Sequence, residues 1–390
     1  MHIALNAQLL NTIATYRSAG VSNYSRHLIE ALGSHVSRTP STPQPSSPTR
    51  PELTAFVNVA DFSTPGVRLI CSSLPLQQPL LRIGWEQSIL PWALQQHKAD
   101  LIHGLVNVLP VTTKIPGVVT VHDLSFVRTP EKLPAAKRWY LTKLCRASVQ
   151  KAQQVIAVSR QTADDLIQFF DIPATKISVI HNGVAERFQP QSATAVAAFR
   201  HNYRLPDRYL LYLGTLEPRK NLPRLIHAYH QWRTQASSSD HDIKLVLAGG
   251  KGWFYDQIFQ LVQELDLTDA VLFPGFIPDT ELPLWYSAAE LFIYPSIFEG
   301  FGFPVLEAMA CGTPVICSNI STLQEVAGES ALFFPPDHTD QLTTLLHQLL
   351  TDTQLQNELQ AQGYRRAARF SWQQTAAATL DVYENALSAK

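Results

Sequence analysis

The sequence predicts an α/β protein built from two doubly wound, Rossmann-like domains, each a parallel sheet with helices on both faces. Three observations predict it. Short apolar runs alternate with helical patterns along the whole 390-residue chain. Those runs are apolar almost throughout, as strands buried on both faces must be. The chain is also long enough for two domains, each with its own core.

In the first half, strands are expected over 2–6, 53–58, 101–103, 117–122, 154–158 and 177–181. In the second they are expected over 209–214, 243–248, 271–273, 291–294, 314–317 and 331–333. Helical patterns cover 24–32, 137–151, 162–170, 222–235, 255–265, 279–288, 340–351 and 372–387. A further helix should begin at Pro304 and stop at Gly312. Residues 37–51 hold five prolines among serines and threonines and read as a mobile surface loop. A second polar loop spans 235–242, and the two halves join around 189–199. The expected domains are 1–190 and 191–371, with a final helix in 372–390 crossing back onto the first.

Hydrophobic residues make up 45% and charged residues 16%, a globular profile. The four cysteines show no C-x-x-C pairing, so neither a disulfide framework nor a zinc site is suggested, and a reducing, cytosolic compartment fits. The N-terminus reads as a first strand and lacks the basic start and long apolar core of a signal peptide. No apolar run approaches the roughly 20 residues of a membrane span. The net charge of −1 hides an asymmetry: residues 1–185 carry 17 Lys+Arg against 10 Asp+Glu. Lys132, Lys137, Arg138, Lys143, Arg146 and Lys151 follow one another with no acid between them. The plainer reading is a solvated helix face. The sharper one is a patch facing an anionic membrane or a lipid-diphosphate acceptor, placing the domain at the inner face of the membrane. No recognition motif supports nucleic acid as a partner.

In open parallel sheets, ligands gather at the C-terminal ends of strands. The densest such end is Tyr294-Pro-Ser-Ile-Phe-Glu299-Gly-Phe-Gly-Phe-Pro-Val-Leu-Glu307, two carboxylates eight positions apart around a glycine-aromatic loop. Loop amides and a helix N-terminus point at phosphate and hydroxyl groups there. Glu307 alone could be a favourable acid near a helix start. That leaves the glycine loop beside it unexplained. Strand 209–214 ends in Gly214-Thr-Leu-Glu-Pro-Arg219-Lys220-Asn221, a cation pair before a helix capped by Asn221. Such a pair would stabilise the charge on a departing diphosphate; a basic surface turn is the alternative. Strand 117–122 ends at His122-Asp123-Leu, where the histidine is structural or functional and Asp123 reads as a turn or helix cap. Gly20, in Tyr16-Arg-Ser-Ala-Gly-Val-Ser-Asn-Tyr24, permits close backbone approach or merely a turn.

The E-x7-E string resembles that of retaining glycosyltransferases of family 4, which have the GT-B fold: two Rossmann-like domains facing a cleft. The resemblance runs from Met1 to the closing Phe370-Ser-Trp-Gln-Gln-Thr, apart from the proline-rich loop. It implies that Glu299 bonds sugar hydroxyls, that Glu307 bonds the ribose, and that the backbone of Gly300, Phe301, Gly302 and Phe303 serves sugar and phosphates. It assigns the diphosphate loop to Gly214, Arg219 and Lys220, with Arg219 standing in for an arginine that relatives place where Thr215 is found. Gly20 of the family's G-[IV]-x-x-Y loop and Gly249 of Leu247-Ala-Gly-Gly-Lys-Gly-Trp253 would approach the donor. Phe276 and Ile277 of Phe273-Pro-Gly-Phe-Ile would hold the nucleobase, and His122 the donor sugar or reacting centre. An N-terminal acceptor domain and a C-terminal donor domain follow, with retention of anomeric configuration and no obvious protein nucleophile.

The string from Leu213 to Asn221 looks most like mannosyltransferases of polysaccharide assembly. GDP-mannose is therefore the preferred donor and a glycan or lipid-linked molecule the acceptor. UDP-glucose, a sugar-nucleotide epimerase and a non-catalytic GT-B protein are the alternatives. No G-x-G-x-x-G follows the first strand, so no nicotinamide or flavin cofactor is expected. Asp240-His-Asp242 spells D-x-D but precedes a strand, at the wrong edge of the sheet, so no catalytic metal is expected. Segments 85–92 and 103–107 could line an acceptor pocket or simply pack the core.

Overall fold

The structure, a computed structural model, describes residues 1–11, 19–38, 51–72, 74, 76, 78–128, 135–237, 240–252 and 255–388. The chain forms two compact units. One comprises the described residues up to Gly183 together with Ser371–Lys390, the other Val184–Phe370.

The first unit is built on a seven-stranded parallel sheet, β1 (His2–Ala7), β2 (Glu52–Val57), β3 (Val67–Cys71), β4 (Leu101–Gly104), β5 (Gly117–Val121), β6 (Gln154–Ala157) and β7 (Ile177–Val179), in the order β3-β2-β1-β4-β5-β6-β7. Its helices are α1 (Ala19–Arg38), α2 (Pro79–Gln96), α3 (Ser125–Arg128), α4 (Ala135–Lys151) and α5 (Arg160–Phe170). The core of α2, α4, α5 and the sheet includes Trp85, Leu90, Ile102, Val119, Val149 and Leu166, all buried.

The second unit repeats the plan. Its strands are β8 (Tyr209–Leu213), β9 (Lys244–Ala248), β10 (Val271–Gly275), β11 (Leu291–Tyr294), β12 (Val315–Ser318) and β13 (Leu332–Phe334), in the order β10-β9-β8-β11-β12-β13, all parallel. Its helices are α6 (Ala193–Tyr203), α7 (Leu222–Gln235), α8 (Asp256–Glu264), α9 (Leu282–Ala288), α10 (Phe303–Ala310), α11 (Ser321–Ala327), α12 (Thr339–Thr351) and α13 (Thr353–Ala367). In both sheets the order reverses at the first strand of the unit. The topological switch points therefore lie between β1 and β4, and between β8 and β11. The last helix, α14 (Trp372–Ser388), packs on α1, β5 and β6 of the first unit.

Several elements differ from the sequence reading. Strand β3 was not expected; it is an edge strand with a half-exposed burial pattern and an arginine at its second position. Helix α2 escaped because it is apolar on its outer as well as its inner face and carries Pro91 in its interior, which hides the 3.6-residue period. The stretch read as a plain connection becomes α6, started by Ser192, whose hydroxyl accepts from the Ala195 amide at 3.2 Å. Helices α11 and α13 were also missed. Helix α1 begins at Ala19, ahead of the expected start at Tyr24, so Gly20, expected in the loop before the helix, is helical. Most of the proline-rich loop, Tyr16, Lys132 and Trp253 lie outside the described residues.

Candidate active site

The switch point of the second unit collects the loops that leave β8 and β11. The β8 loop turns through a short 3-10 segment, Pro218–Lys220, into α7. Beside it, Gly249 lies so close to Gly214 that an added Cβ would stand 1.9 Å from the Gly214 carbonyl oxygen. No other residue fits there, and the two glycine loops form one surface. Asn221 departs from expectation. It takes a left-handed conformation, and its Nδ2 donates to the Pro336 carbonyl at 2.8 Å instead of capping α7. The start of α7 thus has no side-chain cap.

Between the loops lies a cluster of two acids and two cations, buried except for the partly exposed Arg219. Lys220 Nζ donates to Glu299 Oε1 and to the Tyr294 hydroxyl, both at 2.6 Å. Arg219 Nη1 donates to Glu299 Oε2 at 2.9 Å and to the Phe298 carbonyl at 2.8 Å. Its Nε and Nη2 both donate to Glu217 Oε1, at 3.1 and 2.8 Å. Four of the five guanidinium N–H groups are thereby engaged. Burial works to raise the Glu299 pKa, but Arg219 and Lys220 outweigh it and hold the carboxyl at about 2. Burial also pulls Lys220 below the usual lysine range, with Glu299 opposing. Glu299 is therefore a fixed carboxylate, each oxygen bonded to one cation with lone pairs to spare. Sequence reasoning missed Glu217 and Tyr294, which hold Arg219 and Lys220 in place. Glu217 stood in the same string as Arg219; an acid two positions before an arginine was the available signal.

The β11 loop ends at Gly302, the residue before α10, with φ of +102°. A Cβ there would stand 2.6 Å from Leu323 Cδ2. No side chain caps α10, so its first-turn amides and dipole are directed at whatever occupies the loop. Gly300, Phe301 and Gly302 are buried, and Thr322 Oγ1 ties the loop down by donating to the Glu299 carbonyl at 3.0 Å. Glu307 has a different partner. It accepts from the Tyr286 hydroxyl at 2.9 Å, and burial raises its pKa to about 7. Of the expected base-binding pair, Ile277 is buried and Phe276 is half-exposed, directly after edge strand β10.

Asp240 of the D-x-D string precedes β9 and pairs with Arg208, which also holds Glu290. Arg208 and Glu290 precede β8 and β11, so this is the end of the sheet opposite the cation cluster.

In the first unit, His122 follows β5. Its Nε2 meets the Leu105 carbonyl at 2.9 Å, so Nε2 carries the proton, and burial lowers its pKa. The neutral ring presents Nδ1 as an acceptor and packs edge-on against Tyr24 at 4.6 Å. A buried chain continues from Tyr24 to Thr120, His103 and Tyr383 of α14, with contacts of 2.9, 2.8 and 2.6 Å. Asp123 accepts from the Ser125 amide at 2.9 Å, the turn role expected of it. Gly20 sits in the first turn of α1, where a Cβ would meet nothing within 4 Å.

Two doubly wound units, one with a buried lysine, a partly buried arginine and an uncapped helix start at its switch point, define a glycosyltransferase of the GT-B fold. Residues 18–188 match Glycosyltransferase Family 4 and residues 196–366 match Glycosyl transferases group 1. The chain belongs to this family. It is 34% identical over 294 residues to O-antigen chain mannosyltransferase B of Escherichia coli, covering 75% of this chain and 76% of that one. It is 32% identical to the MMP alpha-(1->4)-mannosyltransferase of Mycolicibacterium hassiacum, over 70% and 66% of the two chains. Among solved structures, sucrose-phosphate synthase from Thermosynechococcus elongatus superposes with a TM-score of 0.80 at 24% identity, over 100% of both chains. Anabaena Alr3699/HepE in complex with UDP-glucose superposes with a TM-score of 0.71 at 20% identity, over 98% and 99%.

Proposed function

We propose that this glycosyltransferase moves mannose, with retention, from GDP-mannose to a glycan or lipid-linked acceptor. The observation that carries the reading is the Lys220–Glu299–Arg219 cluster beside the uncapped start of α10. A departing nucleoside diphosphate gains negative charge as the sugar bond breaks. Lys220 and the first-turn amides stabilise that charge without reorganising, because Glu299 and Tyr294 already hold the ammonium in place. Glu299, kept ionised, accepts hydroxyls of the donor sugar through its remaining lone pairs, and Glu307 accepts those of the ribose. Arg219 is held by Glu217, Glu299 and the Phe298 carbonyl, so its first role is to orient Glu299. The backbone following Gly275 holds the base. His122 serves the reacting centre as a neutral acceptor. Mannose is supported by the O-antigen and MMP mannosyltransferases that the chain resembles over most of its length. The first unit binds the acceptor, and its basic helix α4 supports contact with the membrane face from which a lipid-linked acceptor is reached.

The test is a panel of sugar nucleotides read by hydrolysis and thermal shift. GDP-mannose is expected to stabilise the protein and turn over. Stabilisation by UDP-glucose alone would shift the donor assignment, and no response to any member would sink the enzymatic reading.

A further inference from the structure

Tyr24 of α1 rests against two side chains at once. Thr120, near the end of β5, stands two positions before His122, and alternate residues of a strand face the same side. The Tyr24 hydroxyl lies 2.9 Å from Thr120 Oγ1. Its ring meets the His122 imidazole with the planes at 84° and the centroids 4.6 Å apart. His122 is also held by the Leu105 carbonyl, and its backbone amide donates to Asn107 Oδ1 at 3.0 Å.

The Tyr24 hydroxyl is the end of a chain that starts in the last helix. His103 of β4 lies with Nε2 at 2.8 Å from Thr120 Oγ1 and with Nδ1 at 2.6 Å from the Tyr383 hydroxyl of α14. All four members are buried, none more than 1% exposed. Burial, with a smaller contribution from His122, lowers the His103 pKa to about 3. The ring is therefore neutral, so one nitrogen donates and the other accepts. The Thr120 hydroxyl must then do both, and the chain runs one way from end to end. Either Tyr383 donates to Nδ1, Nε2 to Thr120 and Thr120 to Tyr24, or every step reverses. A fully satisfied buried network of this kind fixes one arrangement of its members, and deleting a member strands a buried polar atom.

We propose that Tyr24 is a positioning residue for His122, and that Tyr383 of the last helix acts on the reacting centre through His103, Thr120 and Tyr24. The anchored hydroxyl fixes the Tyr24 ring. The ring in turn keeps the imidazole on the Leu105 carbonyl, with Nδ1 presented as the acceptor. Helix α14 packs on α1 and β5, the two elements that carry Tyr24 and Thr120, so its seating and the chain form together. The last helix thereby sets the geometry of the reacting centre as well as completing the first unit. The proposal rests on the reading that His122 serves the reacting centre; it does not depend on the identity of the sugar.

The experiment follows GDP-mannose hydrolysis and the histidine ring signals in long-range proton–nitrogen NMR of the full chain. The variants are Thr120→Val, Thr120→Ser, Tyr24→Phe, Tyr383→Phe and Thr120→Val/Tyr383→Phe. Valine has the shape of threonine but carries the chain in neither direction. Thr120→Val, Tyr24→Phe and Tyr383→Phe should each lower kcat roughly tenfold, with KM changed less than about twofold. Each should also move the His122 ring signals. Thr120→Ser keeps the hydroxyl and should restore most of the turnover that valine loses. The double variant should be no slower than Thr120→Val alone, because the chain is already cut. A merely structural role would lower the melting temperature while leaving kcat and the His122 signals of the folded protein as in wild type. That result overturns the proposal, and so do losses that multiply in the double variant. His122→Gln separates the two readings. Wild-type turnover in His122→Gln would remove His122 from the reacting centre, and the proposal with it, even if the ring signals move in Thr120→Val. Lost turnover in His122→Gln with unmoved signals in Thr120→Val would refute the chain alone.

Discussion

Removing Lys220 should separate the two things its ammonium does. In Lys220→Ala, Glu299 keeps Arg219 on one oxygen, but its other oxygen and the Tyr294 hydroxyl lose a donor at 2.6 Å in a buried site. Breaking a buried pair by removing one partner costs about 3–5 kcal/mol. With Arg219 remaining, the lower end applies, about 3 kcal/mol, which lowers the melting temperature of a domain of this size by roughly 6–12 °C. Loss of a preorganised charge facing the leaving group costs about a hundred- to a thousandfold in turnover. A neutral pair divides the effects. Lys220→Met/Glu299→Gln has no uncompensated charge, so its melting temperature should recover most of the loss, while turnover should stay as low as in the single variant. Differential scanning calorimetry and donor turnover, read on the wild type and the three variants (the third being Glu299→Gln), make the test. If Lys220→Ala melts within about 2 °C of wild type, or if the neutral pair regains activity, the reasoning is wrong.

Three further outcomes follow from the same geometry. Glu307 has a folded pKa raised to about 7, so its contribution favours the fold at low pH and is lost as pH rises from the ordinary carboxyl range through 7. Glu307→Gln should therefore flatten the fall in melting temperature between about pH 5 and pH 8, a swing of about 3 kcal/mol; parallel curves for the two proteins would contradict this. Gly302→Ala forces a Cβ into a positive-φ position against Leu323 and should cost about 1–3 kcal/mol with weaker donor binding by calorimetry. Asp240→Asn weakens the partly exposed Arg208 pair and leaves the exposed Ser237 hydroxyl bond to the same side chain replaceable by water, so it should lower stability by less than about 1 kcal/mol, with kcat unchanged.

The fold was legible where packing writes a periodic signal. All six strands of the second unit were expected because each is built around a short apolar run. Edge strand β3 was not, since one flank of it is solvated and its pattern mixes Arg68 and Cys71 with apolar residues. Helix α2 was hidden by the exposed Leu80, Leu81, Ile89 and Trp92 on its outer face, which blur the helical period. At the site, Arg219, Lys220 and Glu299 could be named because strand ends concentrate them in short strings. Their mutual bonds could not, because residues 80 apart meet only once β8 and β11 lie side by side. Asn221 shows the converse: residue type suggested a cap, but the left-handed turn sends its amide to Pro336.

The most direct test of the central claim is proton NMR of the sugar released or transferred from a panel of GDP-mannose, UDP-glucose and UDP-galactose by the wild-type protein. The expected result is the highest kcat/KM with GDP-mannose and a product of retained anomeric configuration, lost in Lys220→Ala. Inverted product, or turnover of GDP-mannose that survives that substitution, would contradict it.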